Sequence, residues 1–188
     1  MKTIKYDKEN LIEIKKSKFI GYTFFCESVD DANKYLKQVR EVHKKATHVC
    51  FAYVVNSNEK ASDDGEPQGT AGIPILDVIK KQKLTNMLCI VVRYFGGIKL
   101  GAGGLVRAYS ETASSTIALS ETADLEKAKQ YCLVVNYGQE NAINNLKNND
   151  NVIDIKIDYN DKIVINVLTV NDYVVDNAKL IEEKIVRV

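Results

Sequence analysis

No apolar run in this chain approaches the roughly 20 residues that a membrane-spanning helix needs, and its N-terminal stretch is charged, without the apolar segment of a secretion signal. No membrane association is expected, and a cytoplasmic protein is. The four cysteines, Cys26, Cys50, Cys89 and Cys132, are scattered through apolar segments with no C-x-x-C spacing. That excludes the zinc and redox-pair patterns and leaves buried free thiols. A formal net charge of +1 excludes a chain-wide attraction to nucleic acid. Lys plus Arg against Asp plus Glu is 19 to 16 over residues 1–128 and 7 to 9 over residues 129–188, so any nucleic-acid role must come from a local patch. Proline and glycine are sparse and unevenly placed: both prolines and eight of the ten glycines fall between residues 65 and 104. Such a concentration points to positive φ angles or to close approach of a ligand or partner to the backbone.

What is present in quantity is core-forming material: 45% of the 188 residues are hydrophobic, enough for one ordinary domain or two small ones. Residues 11–15 and 19–26 read as a β-hairpin around a lysine-rich turn. Ser28 reads as the N-cap of an amphipathic helix over residues 28–45, with Asp30 and Asp31 in its first turn and Lys44 and Lys45 at its end. Residues 49–55 are β-branched and aromatic and predict a strand, followed by a polar run and a loop. Pro74 suits the first turn of a helix ending near Lys83. Residues 87–94 are almost unbroken apolar sequence, as in a central strand covered on both faces. From Gly103 or Gly104 to Leu119, small side chains predict a helix lying close against a sheet.

Residues 121–129 read as a linker or a last helical turn. Beyond them the pattern predicts a strand over 131–137, a helix over 140–147, strands over 153–158 and 163–169, a helix over 172–184 and a stub of strand at 185–188. This β-α-β-β-α order with a terminal stub matches a split βαββαβ, ferredoxin-like unit. The expected organisation is thus α+β in two domains, residues 1–128 and 129–188.

The run S-D-D-G-E-P-Q-G-T-A-G-I-P-I-L from Ser62, followed by V-V-R-Y-F-G-G-I-K-L-G-A-G-G-L-V-R-A-Y ending at Tyr109, resembles the signature of the YigZ/IMPACT family. The similarity covers residues 18–119 and includes K-K-S-K-F-I-G near its start. The resemblance implies an N-terminal domain with the ribosomal protein S5 domain 2-like fold. In bacterial members it implies a ferredoxin-like C-terminal domain similar to one in elongation factor G. It also implies a link to translation, since eukaryotic relatives are regulators that compete for a co-activator of an amino-acid-starvation kinase, and RNA or ribosome association is inferred for bacterial members from the fold. The chain looks like a bacterial member that is shorter than usual at its C-terminus.

Candidate chemistry clusters in the two glycine segments. Strand, glycine loop and helix start succeed one another from Ile90 to Tyr109, with Arg93, Lys99 and Arg107 interspersed among Gly96, Gly97, Gly101, Gly103 and Gly104. Backbone amides at a helix start favour an anion, and the glycines serve either such a site or tight turning and close packing. The segment is not a Walker A loop, and Val106 stands where the dinucleotide fingerprint needs its third glycine. Tyr94 and Phe95 offer stacking surfaces beside positive charge, or simply rim packing. Asp63, Asp64 and Glu66, with neighbouring Gln68, serve loop hydrogen bonding or salt links to Arg93 or Arg107 in preference to a metal site. His48 and Cys50 share one strand face, the minimum for a Cys–His pair, although His48 reads more readily as a partner of the acidic loop. No cofactor, no metal and no catalytic residue is assigned. The leading expectation is a translation-linked binding protein contacting RNA, the ribosome or a protein partner through its glycine-rich face. The alternative is an enzyme acting on a phosphorylated small molecule.

Overall fold

The computed structural model describes residues 1–139 and 141–188, and divides them into two units, Met1–Asp124 and Leu125–Val188. Residue 140, where the sequence places the start of a helix, lies outside the described residues. Among the described residues no helix is long and apolar enough to cross a membrane.

The first unit is built on a five-stranded antiparallel sheet of β2 (Lys8–Ile14), β3 (Ser17–Phe25), β4 (His48–Val55), β5 (Asn58–Ser62) and β6 (Met87–Tyr94), in the order β2-β3-β6-β4-β5. β6 is the middle strand, as its apolar run predicts. Its alternate residues serve two cores: Met87, Cys89 and Val91 on one face, Leu88, Ile90 and Val92 on the other. Helix α1 (Val29–Val42) covers the second face with Ala32, Leu36 and Val39. Ser28 caps it as expected, accepting from the Asp31 amide at 3.1 Å while the Asp31 carboxylate accepts from the Ser28 amide at 3.0 Å.

Helices α2 (Gly72–Lys81) and α3 (Ala102–Leu119) cover the first face. The small residues of α3 do what their size allows. A Cβ on Gly21 of β3 would fall 2.1 Å from the Thr116 hydroxyl, so helix and sheet approach to the limit that glycine permits. Phe19 and Tyr109 meet edge to face across this layer with centroids 5.4 Å apart. β1 (Lys2–Ile4) buries Ile4 in the same core and pairs with residues 122–124.

Three segments depart from the sequence reading. The polar run after β4 turns at Asn56, with φ 53°, into β5, an edge strand whose Asn58, Glu59 and Lys60 face solvent. An edge strand needs little apolar periodicity, and charge there discourages pairing with other chains. Residues 121–129 are no linker: Glu121, at φ 52°, ends the helical path, and β7 (Thr122–Val135) begins at once, with Ala123, Leu125 and Ala128 buried.

The second unit contains β7 from Leu125 onward, α4 (Asn141–Lys147), β8 (Val152–Tyr159), β9 (Ile163–Thr169) and β10 (Lys179–Arg187). β9 lies between β7 and β8, and its inward Ile163, Ile165 and Val167 are fully buried. The helix expected over 172–184 is not formed. Asn171, Asp172 and Asn177 all hold positive φ, which breaks a helical path, and residues 179–187 pair antiparallel with β7 instead. The mixed α/β class with antiparallel sheets and the β-α-β-β opening of this unit are as expected; the terminal strand is long instead of a stub.

Candidate functional site

The antiparallel register brings four segments to one end of the first unit's sheet. They are the β2–β3 turn at Lys15 and Lys16, the entry to β4, the acidic loop after β5, and the glycine segment after β6. Arg93 continues the Met87, Cys89, Val91 alternation and therefore faces the α2–α3 side, opposite His48 of β4, its cross-strand partner. Both meet Glu66 there. Arg93 Nη1 donates to Glu66 Oε1 at 2.6 Å, Tyr109 of α3 donates its hydroxyl to the same oxygen at 2.8 Å, and His48 Nε2 stands 3.8 Å from Oε2. The side chains of Glu66 and Arg93 are 3% and 6% exposed. The Arg93 guanidinium also lies 5.4 Å from each of the Phe19 and Phe95 ring centroids, and its buried Nε has no hydrogen-bond partner among the described residues.

The other two acids hold the loop that delivers Glu66. Asp63 accepts from the Gly69 amide at 2.8 Å through one oxygen, and from the Ala71 and Gly72 amides at 3.0 and 2.8 Å through the other. It thereby caps α2 from a distance, since Ala71 at the N-cap has no side chain to do so. Burial pushes the Asp63 carboxyl up, but the three amide bonds outweigh it and leave the group below its ordinary value. Asp64 accepts from the Val49 amide at 2.7 Å and from Arg40 at 2.9 Å, and its carbonyl faces His48 Nδ1 at 2.8 Å. A carbonyl can only accept, so His48 carries a proton on Nδ1. The acidic cluster is thus internal scaffold, and among the described residues no group of three His, Cys, Asp or Glu side chains is arranged for a metal.

Cys50 does share a strand face with His48, but its sulfur lies 3.0 Å from the Asp63 carbonyl and 3.3 Å from the Tyr109 hydroxyl. Burial pushes its thiol up to about 12, despite the Tyr109 hydrogen bond. A group held so high is protonated at neutral pH and is no nucleophile.

Above this buried network lies a cavity of about 450 Å³, with Pro67, Phe95, Leu100, Ala102 and Leu105 as apolar walls and His48, Glu66, Arg93 and Lys99 as its charged or titratable members. Gly101, at φ 72°, is the N-cap of α3 and lines the cavity too, and no side chain caps that helix start. Phe95 is 46% exposed and has its backbone amide fixed by the Thr47 hydroxyl at 3.0 Å. Gly96 is needed for close approach: a Cβ there would fall 2.0 Å from the Lys16 carbonyl group.

The remaining sequence candidates disperse. Tyr94 turns to the α1 face, where its hydroxyl meets His43 Nδ1 at 2.9 Å. Gln68 and Gly97 are exposed, Gly103 and Gly104 sit in the first turn of α3, and none of these lines the cavity. Arg107 is exposed on α3 and forms no salt link to the acidic loop. The cavity therefore does not join Asp63, Asp64 and Arg107. Sequence reasoning missed Tyr109 as a network member, although a polar aromatic among small helical residues was a usable signal. It also missed that Lys15, Lys16, Lys18, Lys44, Lys45 and Lys99, all exposed, converge at this end of the sheet. Among the described residues none of the six has an ion-pair partner.

Comparison with known proteins matches residues 15–117, more than half of the chain, to the Impact N-terminal domain. The chain belongs to the IMPACT family. Among its relatives, IMPACT family member YvyE of Bacillus subtilis is 47% identical over 115 residues, 60% of this chain and 53% of the relative. IMPACT family member YigZ of Escherichia coli is 37% identical over 132 residues, 68% of this chain and 65% of the relative. The chain thus spans between about half and two thirds of the length of these curated IMPACT relatives. The crystal structure of a hypothetical protein, 32% identical, superposes with a TM-score of 0.66, covering 89% of this chain and 84% of the other. All residues lining the cavity fall inside the matched IMPACT region.

Proposed function

We propose that this IMPACT-family chain is a translation-linked binding protein of the cytoplasm, which grips RNA, free or within the ribosome, through the cavity-bearing end of its first unit. The observation that carries the reading is the imbalance of charge there. Glu66 and Asp64 are neutralised by Arg93 and Arg40, and Asp63 is enclosed by backbone amides, while among the described residues none of the six exposed lysines forms an ion pair, Lys18 having only exposed Glu13 as its cross-strand neighbour. A local excess of unpaired cations beside an exposed aromatic is the arrangement that holds a phosphate backbone and accepts a base. Family membership supports the link to translation. Binding is preferred to catalysis on a phosphorylated substrate because the carboxylates that would act as general acid and base are engaged as scaffold. Residues 1–128 form the gripping domain in this reading and residues 129–188 a docking domain for a further partner, which is a protein where it is not RNA.

The test is capture from a bacterial lysate by the immobilised full chain, with and without nuclease. Co-purifying RNA or ribosomes that nuclease removes support the reading. A protein partner retained at equal yield after nuclease, with no RNA recovered, overturns it.

A further inference from the structure

The cavity has a polarity pattern that a plain electrostatic grip does not need. Glu66 Oε1 already accepts two hydrogen bonds, from Arg93 and Tyr109, whereas among the described residues Oε2 accepts none, with His48 Nε2 standing 3.8 Å away. His48 donates through Nδ1 to the Asp64 carbonyl, so in the neutral imidazole its Nε2 is an acceptor. In that tautomer two acceptors stand 3.8 Å apart on residues that line the cavity, too far apart to bond to each other. A group with two N–H donors on one atom satisfies both at once, as the exocyclic amine of a nucleobase does. Beside this pair stands Phe95, half exposed, with Arg93 behind its ring at 5.4 Å, a platform for a planar π system. The same cavity is lined by Lys99 and by the start of α3 at Gly101 and Ala102, which no side chain caps and which offers positive charge and backbone amides to a phosphate. A cavity of about 450 Å³ is of the size that small-molecule sites have.

We infer that the cavity is a subsite for one nucleotide whose base carries an exocyclic amine. The base lies on Phe95, the amine bridges Glu66 Oε2 and His48 Nε2, and the phosphate sits at Lys99 and the start of α3. Adenine, cytosine and guanine meet the requirement; uracil does not. The inference rests on the RNA-gripping reading for its biological source. Its chemistry is shared by a free mononucleotide and by one unstacked nucleotide of single-stranded RNA.

The experiment measures fluorescence anisotropy of labelled oligo(A) and oligo(U) RNA on the full chain, with adenosine and uridine 5′-monophosphates as competitors. Oligo(A) is expected to bind at least several-fold more tightly than oligo(U). Base–aromatic stacking implies that Phe95→Ala weakens oligo(A) binding by roughly 5- to 150-fold with an unchanged salt slope. Lys99→Ala is expected to weaken binding and make the salt slope shallower by about 0.7. Both side chains are exposed, so neither variant endangers folding. Competition by adenosine but not uridine monophosphate identifies the free nucleotide as a ligand; discrimination between the two RNAs without such competition assigns the subsite to RNA. If oligo(A) and oligo(U) bind equally and Phe95→Ala is silent, while Lys15→Ala and Lys44→Ala weaken both, the subsite is overturned and the grip stands. If no RNA binds but adenosine monophosphate does in a Phe95-dependent way, the grip is overturned and the subsite stands.

Discussion

Arg93 and Glu66 form a buried ion pair at 2.6 Å, at the point where the central strand, the acidic loop and helix α3 meet. Breaking a buried pair leaves an uncompensated charge, which typically costs about 3–5 kcal/mol. Glu66→Ala, which strands the guanidinium and the Tyr109 hydroxyl, is expected to lose stability in that range in urea unfolding followed by circular dichroism. Glu66→Gln keeps an acceptor for Tyr109 and is expected to lose less. Equal, small losses for both would mean that the pair is solvated in solution.

Asp63 supplies two oxygens to three backbone amides, and Asn can offer only one acceptor oxygen. Hydrogen bonds to a charged group contribute about 1.5–3 kcal/mol each, so Asp63→Asn is expected to cost at least about 2 kcal/mol at neutral pH. The folded carboxyl is held below its unfolded value, so its contribution is fully present above the ordinary aspartate pKa of about 3.9 and is lost as pH falls through the lower, folded value. The gap between wild type and Asp63→Asn should close as pH drops through that window; a gap constant down to strong acid would contradict the assignment.

Much of this was legible in the sequence and some was not, for physical reasons. The Ser28 cap, the two-faced β6 and the small-residue helix α3 announce themselves because local chemistry and burial agree at each. β5 and β10 did not, because most of their residues are exposed and edge positions impose no period. At the site, Glu66 with Arg93 was legible as one of several salt links, since opposite charges in adjoining loops had to meet. That Tyr94 leaves for the α1 face follows from strand alternation and was available; Tyr109, a polar aromatic among the small residues of α3, signalled a buried polar partner, but that the partner is Glu66 depended on the packing of α3. The lysine gathering is a product of register, invisible until strand order is known.

Gly96 packs against the Lys16 carbonyl group, so Gly96→Ala forces backbone to move at the tip of β3 and β6. Overpacking of this kind costs about 1–3 kcal/mol. The expected result is a lowered melting temperature together with weakened RNA binding, because the same shift displaces Phe95. Gly97→Ala meets no neighbour but holds φ 87°, and is expected to cost less. Identical behaviour of the two variants would contradict the close approach.

Burial pushes the Cys26, Cys50 and Cys89 thiols up to about 12, whereas Cys132 is partly exposed on β7. Iodoacetamide on the native chain at neutral pH is therefore expected to label Cys132 first, with the other three reacting only on unfolding. Peptide mass mapping checks this. Rapid labelling of Cys50 would reopen the question of thiol chemistry beside His48.

The central claim is that the six lysines at one end of the first unit's sheet hold RNA by its phosphates. The most direct measurement is the salt dependence of single-stranded RNA affinity for the wild type and for Lys15, Lys16, Lys18, Lys44, Lys45 and Lys99 all changed to Ala. Each phosphate contact to a single strand contributes about 0.7 to the slope of log affinity against log salt. The variant is expected to bind more weakly, with a slope shallower by about 2 to 4 if three to six lysines make contact. Equal affinity and equal slope in the two proteins would contradict it.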